Sequence, residues 1–523
     1  MALDDSIWTT SFASSMTEID IDGESLTLEK ALAIAKGSVK ASLTQSSRAN
    51  MQRSRDAVEM VVDSDEVVYG INTGFGALSS VRIKKDELEV LQSNLVRSHA
   101  CGIGERMDPE NVLLMMVIRA NSLAKGVSGA RPEVVELMLS MVNSRIAPVV
   151  PRIGSLGASG DLSPLSHMAL GMMGEGECLR FIDGKWVIKD CATALAEDDL
   201  TPVKLQAKEG LSLINGTSQM CAYLTRTVLN MENLSLAADV SIACSLEAIR
   251  GSHKPFDRRI HDSRPQLGQS ISAARISELV SNSQIVLSHI DCDRVQDAYC
   301  FRCSPQVHGP VIDLLREVRR VLEIEINSAT DNPLVFVDKK GSVEIISGGN
   351  FHGQNLSLAS DSIAIACHEL ASISERRINQ ILDPNWSNQK AFLAKNEGLE
   401  SGLMIVQYVA AAVIAELHLL ANPASTSNIP VSMGKEDHVS MGATGTYRAL
   451  QSTILLSQVL ANELVCSTEA LDGIIESPGA GVAKVTEWVR KHVDRLDGDR
   501  SLTEECENLS RAILDGGITS IFG

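Results

Sequence analysis

Long apolar stretches with helical spacing are the feature that most limits how this 523-residue chain can fold. They predict helices over about residues 208–250, 310–327, 355–382, 402–420 and 442–473, which are longer than the usual length of about 11 or 12 residues. The segment 409–415, Val-Ala-Ala-Ala-Val-Ile-Ala, is apolar on every side, so its helix should be buried all round. One chain cannot easily surround several such helices. We therefore expect an oligomer whose subunits pool their helices in a shared bundle.

The rest of the chain is more mixed in pattern. Shorter helices are predicted over residues 24–41, 85–97, 108–125 and 131–145, and a β-hairpin over 178–188 turns at Asp183 and Gly184. Aromatic residues make up only 3% of the chain, which favours close helix packing over a sheet core. We expect a mainly α protein with a smaller mixed N-terminal lobe. The predicted divisions are a loose arm (1–20), the lobe (21–205), the long-helix bundle (206–480) and a helical cap (481–523).

Charge and cysteine content exclude several classes of function. A net charge of −19 disfavours nucleic acid and anionic membranes as partners. The N-terminus lacks a basic segment typical of a secretory signal, and the 11 cysteines of a long chain are expected to be reduced thiols, so we expect a cytoplasmic protein. Cys300 and Cys303 are spaced as in a metal site, but no second pair lies near them, so no metal is expected.

The loop at 154–167, Gly-Ser-Leu-Gly-Ala-Ser-Gly-Asp-Leu-Ser-Pro-Leu-Ser-His, is suited to backbone chemistry. Within it, the amide nitrogen of Gly160 has no side chain to hinder its approach to the carbonyl of Ala158. Loss of the Ser159 hydroxyl as water would then leave an exocyclic methylidene group. The tripeptide could therefore become an electrophile made from the chain itself.

The whole 154–167 run resembles the signature of the aromatic amino acid ammonia-lyases and aminomutases. The resemblance extends from about residue 20 to the tail, because polar segments between the predicted helices have counterparts in the same order. These segments are 69–76, 98–99, 215–217, 294–302, 330–333, 348–354 and 435–438. The resemblance implies a long-helix bundle of the fumarase/aspartase-like superfamily and a homotetramer whose sites are shared between subunits. It also implies a 4-methylidene-imidazole-5-one group (MIO), formed autocatalytically from Ala158, Ser159 and Gly160, with no external cofactor.

The same resemblance assigns roles to individual residues. Tyr69 would be the base that takes a proton from the substrate β-carbon. Asn215 and Tyr299 would support the electrophile. Arg302 would bind the substrate carboxylate, a role suited to a planar bidentate donor. The remaining expected substrate-binding residues are Gln296 and Asn332 at the carboxylate end, Phe351 near the ring, Glu416 beside the amine or side chain, and His99, Gln354 and Tyr408 around the side chain.

Different positions in the sequence indicate different substrates. Ser98-His99, the run 294–309 and the segment 436–442 resemble histidine ammonia-lyases, which convert L-histidine to trans-urocanate. Ser218, Gln354 and Tyr408 instead resemble tyrosine ammonia-lyases, which form p-coumarate, or tyrosine 2,3-aminomutases, which form β-tyrosine. Phenylalanine is disfavoured because a polar His99 would face an apolar ring. We place histidine first and tyrosine second. A scaffold in which the electrophile never forms is the non-enzymatic alternative, which the intact Ala158-Ser159-Gly160 opposes.

Overall fold

The computed structural model describes residues 17–64, 67–74, 82–288 and 295–522. Most of the expected N-terminal arm lies outside these ranges, as do residues 75–76 of the glycine-rich loop and Arg294. The described residues form a mainly helical protein with four small sheets, as predicted.

The N-terminal lobe combines short strands with helices. Its strands are β1 (Glu18–Ile21), β2 (Lys40–Leu43), β3 (Ile103–Arg106), β4 (Ile146–Pro148), β5 (Pro151–Ile153), β6 (Glu177–Ile182) and β7 (Lys185–Asp190). Its helices are α1 (Leu28–Ala35), α2 (Gln45–Asp63), α3 (Leu88–His99), α4 (Pro109–Ala124), α5 (Pro132–Asn143), α6 (Leu162–Met172) and α7 (Cys191–Ala196). β3 pairs with β5, and β6 lies between β4 and β7 in a second sheet. The predicted hairpin is confirmed as β6 and β7, which are antiparallel.

Two predictions at the start of this lobe were wrong. Strand β1 overlaps the last three residues of the region expected to be a loose arm, and its Ile19 and Ile21 are buried. β1 pairs in parallel with β2, which begins at the last two positions predicted to be helical. Helix α1 is accordingly only eight residues long, with the Thr27 side chain capping its start. Pairing between distant segments outweighed the local helical pattern here.

The central part of the chain contains the long helices. Its helices are α8 (Glu209–Ile214), α9 (Ser218–Ala248), α10 (Arg258–Asp262), α11 (Leu267–Leu279), α12 (Gln284–Leu287), α13 (Tyr299–Arg302), α14 (Ser304–Glu325), α15 (Gln354–Leu382), α16 (Pro384–Ser387), α17 (Met404–Leu420) and α18 (Gly442–Asp472). A hairpin of β8 (Leu334–Val337) and β9 (Val343–Ile346) separates α14 from α15. Helices α9, α15 and α18 pack together and contain 31, 29 and 31 residues, as the apolar pattern predicted.

Helix α14 begins earlier than predicted. It starts at Ser304, with Pro305 in its first turn, where a missing N–H costs nothing. Pro310, the predicted start, lies inside the helix, where it removes one backbone hydrogen bond.

Helix α17 differs from its prediction in a way that bears on assembly. Within one chain only Ala410, Val413 and Leu417 of this helix are buried. Val409 is 48% exposed and Leu419 is 66% exposed. The expectation of burial on every side is therefore not met by a single chain, and an apolar face remains uncovered.

The C-terminal segment packs outside the long helices, against α9 and α18. It consists of α19 (Ala480–Val489), α20 (Thr503–Leu514) and α21 (Thr519–Phe522), and α20 buries Leu509 and Ile513 against the bundle. Among the described residues, α18 alone is long and apolar enough to cross a membrane. Inside the protein, 78% of its most apolar window is buried, as in the core helix of a bundle.

Candidate active site

The tripeptide Ala158-Ser159-Gly160 forms a tight turn before α6. Gly160 has a φ of +76°, and a Cβ at this position would lie only 2.6 Å from the carbonyl carbon of Gly216. No other residue type fits there, on grounds of both conformation and space. The turn is therefore built around the absence of a side chain at the residue whose nitrogen would close a ring.

Hydrogen bonds hold the turn on both sides. The Asn215 side chain donates from Nδ2 to the Ser159 carbonyl at 2.7 Å. The Asp161 amide donates to the Gly216 carbonyl, also at 2.7 Å. The Asn215 Oδ1 atom is buried with no hydrogen-bond partner within the described ranges, so one acceptor is available next to Ser159. Asn215 thus contacts the tripeptide directly.

Three long helices begin at this turn. Asp161 accepts hydrogen bonds from the Gln219 and Met220 amides in the first turn of α9, at 2.8 and 3.1 Å. The Gly157 carbonyl accepts from the Gly353 amide, immediately before α15, and the Leu156 carbonyl accepts from the Met441 amide, immediately before α18. Helix N-termini carry partial positive charge. The turn therefore lies where developing negative charge is stabilised.

Asp161 is the buried acid of this arrangement. Burial raises the pKa of Asp161 to about 7, against the opposing effect of its amide donors, the Ser155 hydroxyl and the charge of Arg119. The Ser155 hydroxyl donates to Oδ1 of Asp161 at 2.9 Å. Every oxygen of this carboxyl group is thus used to fix the turn and the start of α9.

Tyr69 and Asn332 lie on segments that meet at the same end of the bundle. A Cβ at Gly70 would contact Pro333 and Leu211, so the Tyr69 loop packs between the residue after Asn332 and helix α8. The Asn332 side chain accepts from the Gly348 amide at 2.7 Å. Tyr69 is half-buried and Asn332 is buried.

His99 ends helix α3 at the same end of the molecule. Its Nδ1 atom lies 2.8 Å from the Leu95 carbonyl, which can only accept, so Nδ1 carries the proton and Nε2 is an acceptor. Burial lowers the pKa of His99, while the Leu95 carbonyl and the negative charge of Glu436 act in the opposite direction. His99 is therefore a neutral imidazole at neutral pH, with a carboxylate nearby.

Phe351 and Gln354 flank the Gly353 amide that binds the turn. Both are half-buried, and Gln354 is the first residue of α15. Its Oε1 atom is buried and has no hydrogen-bond partner in the part of the chain described. Next to Phe351, the His352 ring stacks on His438 with the centroids 5.9 Å apart. These residues complete a group that we call the turn cluster, whose predicted members are Tyr69, His99, Ala158, Ser159, Gly160, Asn215, Asn332, Phe351 and Gln354.

Three other predicted site residues form a second group, which we call the arginine cluster: Gln296, Tyr299 and Arg302. The Arg302 guanidinium lies 4.4 Å from the centroid of the Tyr299 ring, which is 70% exposed. Gln296 and Arg302 line a cavity of about 400 Å³. The Nε atom of Arg302 is buried without a hydrogen-bond partner among the described residues. This group therefore presents an aromatic ring and a cation at the surface of one chain.

A single chain does not bring the two clusters together. The carbonyl of Cys300, in the arginine cluster's helix α13, accepts from Arg377 of α15 at 3.3 Å. Gln354 of the turn cluster is the first residue of that same continuous helix, 23 positions earlier. At about 1.5 Å per residue the two contacts are roughly 35 Å apart. The predicted site residues thus lie at opposite ends of the bundle.

Tyr408 and Glu416 belong to neither cluster within one chain. Tyr408 is 65% exposed and lines a cavity of about 590 Å³ with Glu375 and Leu382, near the end of α15. Glu416 lies about two turns further along α17 and is exposed. Both face outward on the uncovered side of this helix.

Three residues near the clusters were not singled out from the sequence. Glu436 belongs to the 436–442 segment that resembles histidine ammonia-lyases. Because it lies far from His99 in the sequence, the sequence did not indicate that its charge acts on His99. Arg119 and Arg377 are fully buried. The available signal was a charged residue inside an otherwise apolar helical stretch, such as Met-Met-Val-Ile-Arg-Ala at 115–120. A group of three or more metal-binding side chains does not occur in the described ranges.

Comparisons with known proteins agree with this architecture. The family model described as "Aromatic amino acid lyase" matches residues 26–491. A histidine ammonia-lyase from Myxococcus xanthus is 46% identical over 503 residues, which cover 96% of this chain and 98% of that protein.

Two solved structures extend the comparison. The histidine ammonia-lyase from Trypanosoma cruzi superposes with a TM-score of 0.89 at 36% identity, covering 97% of this chain and 95% of that one. The tyrosine aminomutase from Streptomyces globisporus gives 0.89 at 34% identity, covering 96% and 98%. The long-helix fold expected from the sequence is confirmed by both likenesses. The chain belongs to the aromatic amino acid lyase family, whose members carry an MIO group.

Proposed function

We propose that this protein is a histidine ammonia-lyase, which converts L-histidine to trans-urocanate and ammonia. The observation that carries the proposal is that the negative charge of Glu436 acts on His99, whose pKa is lowered by burial. Nε2 of His99 can accept the N–H of the substrate imidazole, and the Glu436 charge favours a ring that can carry positive charge. A phenol offers no comparable cationic form. The curated relatives at 42–46% identity carry the same name.

The residues of the turn fit the MIO group. Gly160 carries no side chain that would hinder ring closure, Asn215 donates to the Ser159 carbonyl, and the surrounding helix N-termini favour negative charge there. We infer that Ala158, Ser159 and Gly160 form this group autocatalytically. When present, it supplies an electrophile that makes the substrate amine a better leaving group.

The remaining chemistry falls to side chains of the two clusters. Tyr69 removes a proton from the substrate β-carbon, a step that needs a positioned base because this hydrogen is barely acidic. Arg302 binds the substrate carboxylate bidentately, and Gln296 and Asn332 complete that end. Tyr299, with Asn215, supports the electrophile. The ring end is formed by His99, Phe351, Gln354, Tyr408 and Glu416, to which we add Glu436.

These roles require more than one chain at each site. The arginine cluster lies roughly 35 Å from the turn cluster of its own chain. Helix α17 also leaves an apolar face uncovered, including Val409 and Leu419. We infer a homotetramer in which helices from different subunits bring a turn cluster and an arginine cluster together.

All ten described cysteines are free thiols, which fits a cytoplasmic location.

A tyrosine 2,3-aminomutase is the second candidate. Nε2 of His99 can equally accept from a phenol, and Gln354 and Tyr408 resemble the tyrosine enzymes. The likeness to the Streptomyces globisporus aminomutase is as high in TM-score as that to the trypanosomal lyase. The charge of Glu436 is what separates the two candidates.

Turnover of two amino acids decides between them. The purified protein is incubated with L-histidine or with L-tyrosine, and ultraviolet absorbance follows urocanate or coumarate. We expect urocanate and little coumarate, and Glu436→Gln should lower histidine turnover more than it lowers the fraction of cyclised protein. Formation of β-tyrosine, detected by chromatography, with no urocanate would overturn the proposal in favour of the aminomutase.

A further inference from the structure

A fully buried guanidinium lies directly behind the tripeptide turn. Arg119 is carried by α4, and its side chain is completely inaccessible. A Cβ at residue 216 would overlap Nη1 of Arg119 and lie 2.8 Å from Oγ1 of Thr330. On its other side the Gly216 peptide packs against Gly160. The Gly216 peptide therefore lies between the Arg119 guanidinium and the tripeptide turn, and no side chain fits between these three layers.

The same guanidinium ties together two segments of the turn cluster. Nε donates to the Ser212 carbonyl at 3.0 Å, and Nη2 donates to the same oxygen. Nη1 lies 3.4 Å from the Thr330 hydroxyl. Ser212 is in α8, which ends directly before Asn215, and Thr330 precedes Asn332 by two residues. Arg119 thus fixes the approach of both asparagine segments to the turn.

Arg119 remains a cation in this position. Burial lowers the pKa of Arg119 to about 10, while the carboxylates of Asp331 and Asp161 act in the opposite direction. The group is therefore protonated at neutral pH. Asp331 also accepts from the buried Lys208 at 2.8 Å, so a connected set of charges lies beneath the turn. Burying a cation costs folding free energy unless the surrounding groups compensate its charge. The neighbouring acceptors and carboxylates at this end of the bundle are therefore arranged around Arg119.

We propose that Arg119 is a positioning residue for formation of the electrophile. By holding the Gly216 peptide against Gly160, it keeps the turn compact enough for the Gly160 nitrogen to reach the Ala158 carbonyl carbon. The inference rests on the proposed function, in which this turn cyclises.

The reaction it serves is balanced without any oxidant or reductant. A bond forms between the Gly160 nitrogen and the Ala158 carbonyl carbon. The Ala158 oxygen leaves as water with the amide hydrogens of Gly160 and Ser159. The Ser159 hydroxyl then leaves as a second water with the hydrogen of its own Cα, which creates the methylidene double bond.

The test is the intact mass of purified Arg119→Gln, because each cyclised chain is lighter by two waters. We expect a cyclised fraction at least severalfold below that of the wild type. The matched control is Arg377→Gln, which removes a second fully buried arginine, at the far end of α15. This variant is expected to lose stability but to show the full mass loss, so a general effect of removing a buried cation is excluded.

Arg119→Lys covers the case in which the glutamine variant does not fold. Lysine keeps the charge but lacks the planar fork that reaches both Ser212 and Thr330. We expect a time course of intact mass, begun with newly synthesised chain that has not yet cyclised, to show slower water loss than in the wild type. A wild-type rate in this variant, or complete cyclisation of folded Arg119→Gln, would overturn the proposal. If the wild type itself lacks the mass loss, the proposed function fails instead.

Discussion

The two ends of the long helices hold their residues in different ways. At the turn cluster, main-chain atoms dominate: carbonyls of Leu156, Gly157 and Gly216 accept from amides of segments far along the chain. At the arginine cluster, the short helix α13 is supported from beneath by the buried pair of Arg377 and Glu463, and Tyr299 is exposed. The first end is thus closed within one chain. The second leaves Tyr299 exposed, and this is where we propose that another subunit binds.

Mixing two inactive variants tests most strongly whether the two clusters of one site come from different chains. Ser159→Ala and Arg302→Ala should each lower turnover by roughly 100-fold or more, because one removes the electrophile and the other the carboxylate clamp. When both are denatured, mixed and refolded together, sites that take each cluster from a different chain regain activity. A random mixture should recover up to roughly a quarter of wild-type turnover.

Native mass spectrometry of the mixture, which separates the two variants by their subunit masses, confirms that mixed oligomers have formed. The refolded single variants are the controls. Mixed oligomers with no recovered turnover would mean that each site draws both clusters from one chain, contrary to the separation along α15.

Removing the support of the arginine cluster should have a smaller effect on catalysis. Arg377→Gln leaves Glu463 without its partner and releases the Cys300 carbonyl, which lets α13 shift. We expect a loss of about 3–5 kcal/mol in the free energy of unfolding. KM for L-histidine should rise about tenfold with a smaller change in kcat, because Arg377 acts only through the position of Arg302.

Steady-state kinetics and urea unfolding measure these two effects. Arg377→Lys, which retains a cation, should restore part of the KM. An unchanged KM in folded Arg377→Gln would show that α13 is held by other contacts.

The smallest effect concerns pH at the turn cluster. The folded-state pKa of Asp161 is raised to about 7 by burial, so between about pH 4 and pH 7 the folded protein holds a proton that the unfolded chain has lost. Stability from this group is therefore present at low pH and declines as pH rises through the window. The free energy of unfolding of the wild type minus that of Asp161→Asn should fall by about 1–3 kcal/mol from pH 4 to pH 7.

Urea titrations at several pH values give this difference, in which other titrating groups cancel. A difference that rises with pH would mean that the amide donors of α9 outweigh burial and hold Asp161 ionised.

The sequence predicted much of this molecule because the relevant signals are local. Apolar periodicity gave α9, α15 and α18, and a two-residue turn gave the hairpin of β6 and β7. The parallel pairing of β1 with β2 was missed because it depends on residues about 20 positions apart. Motifs likewise named Tyr299 and Arg302, yet a motif says which residue acts and not which subunit supplies it. The distance between the two clusters along α15 and the exposed apolar face of α17 could not be predicted from the sequence, because both depend on how the helices pack in three dimensions.

The convergence of three helix N-termini on one turn has a consequence for the chain during its synthesis. The Gly157 carbonyl binds Ser440, which is 283 residues further along the chain. A chain still being synthesised lacks that partner and the start of α18. It therefore lacks one of the contacts that hold the turn compact. If the turn cyclises as we propose, the electrophile should form only once α18, the last long helix, is in place, and an incomplete chain would not expose it to thiols.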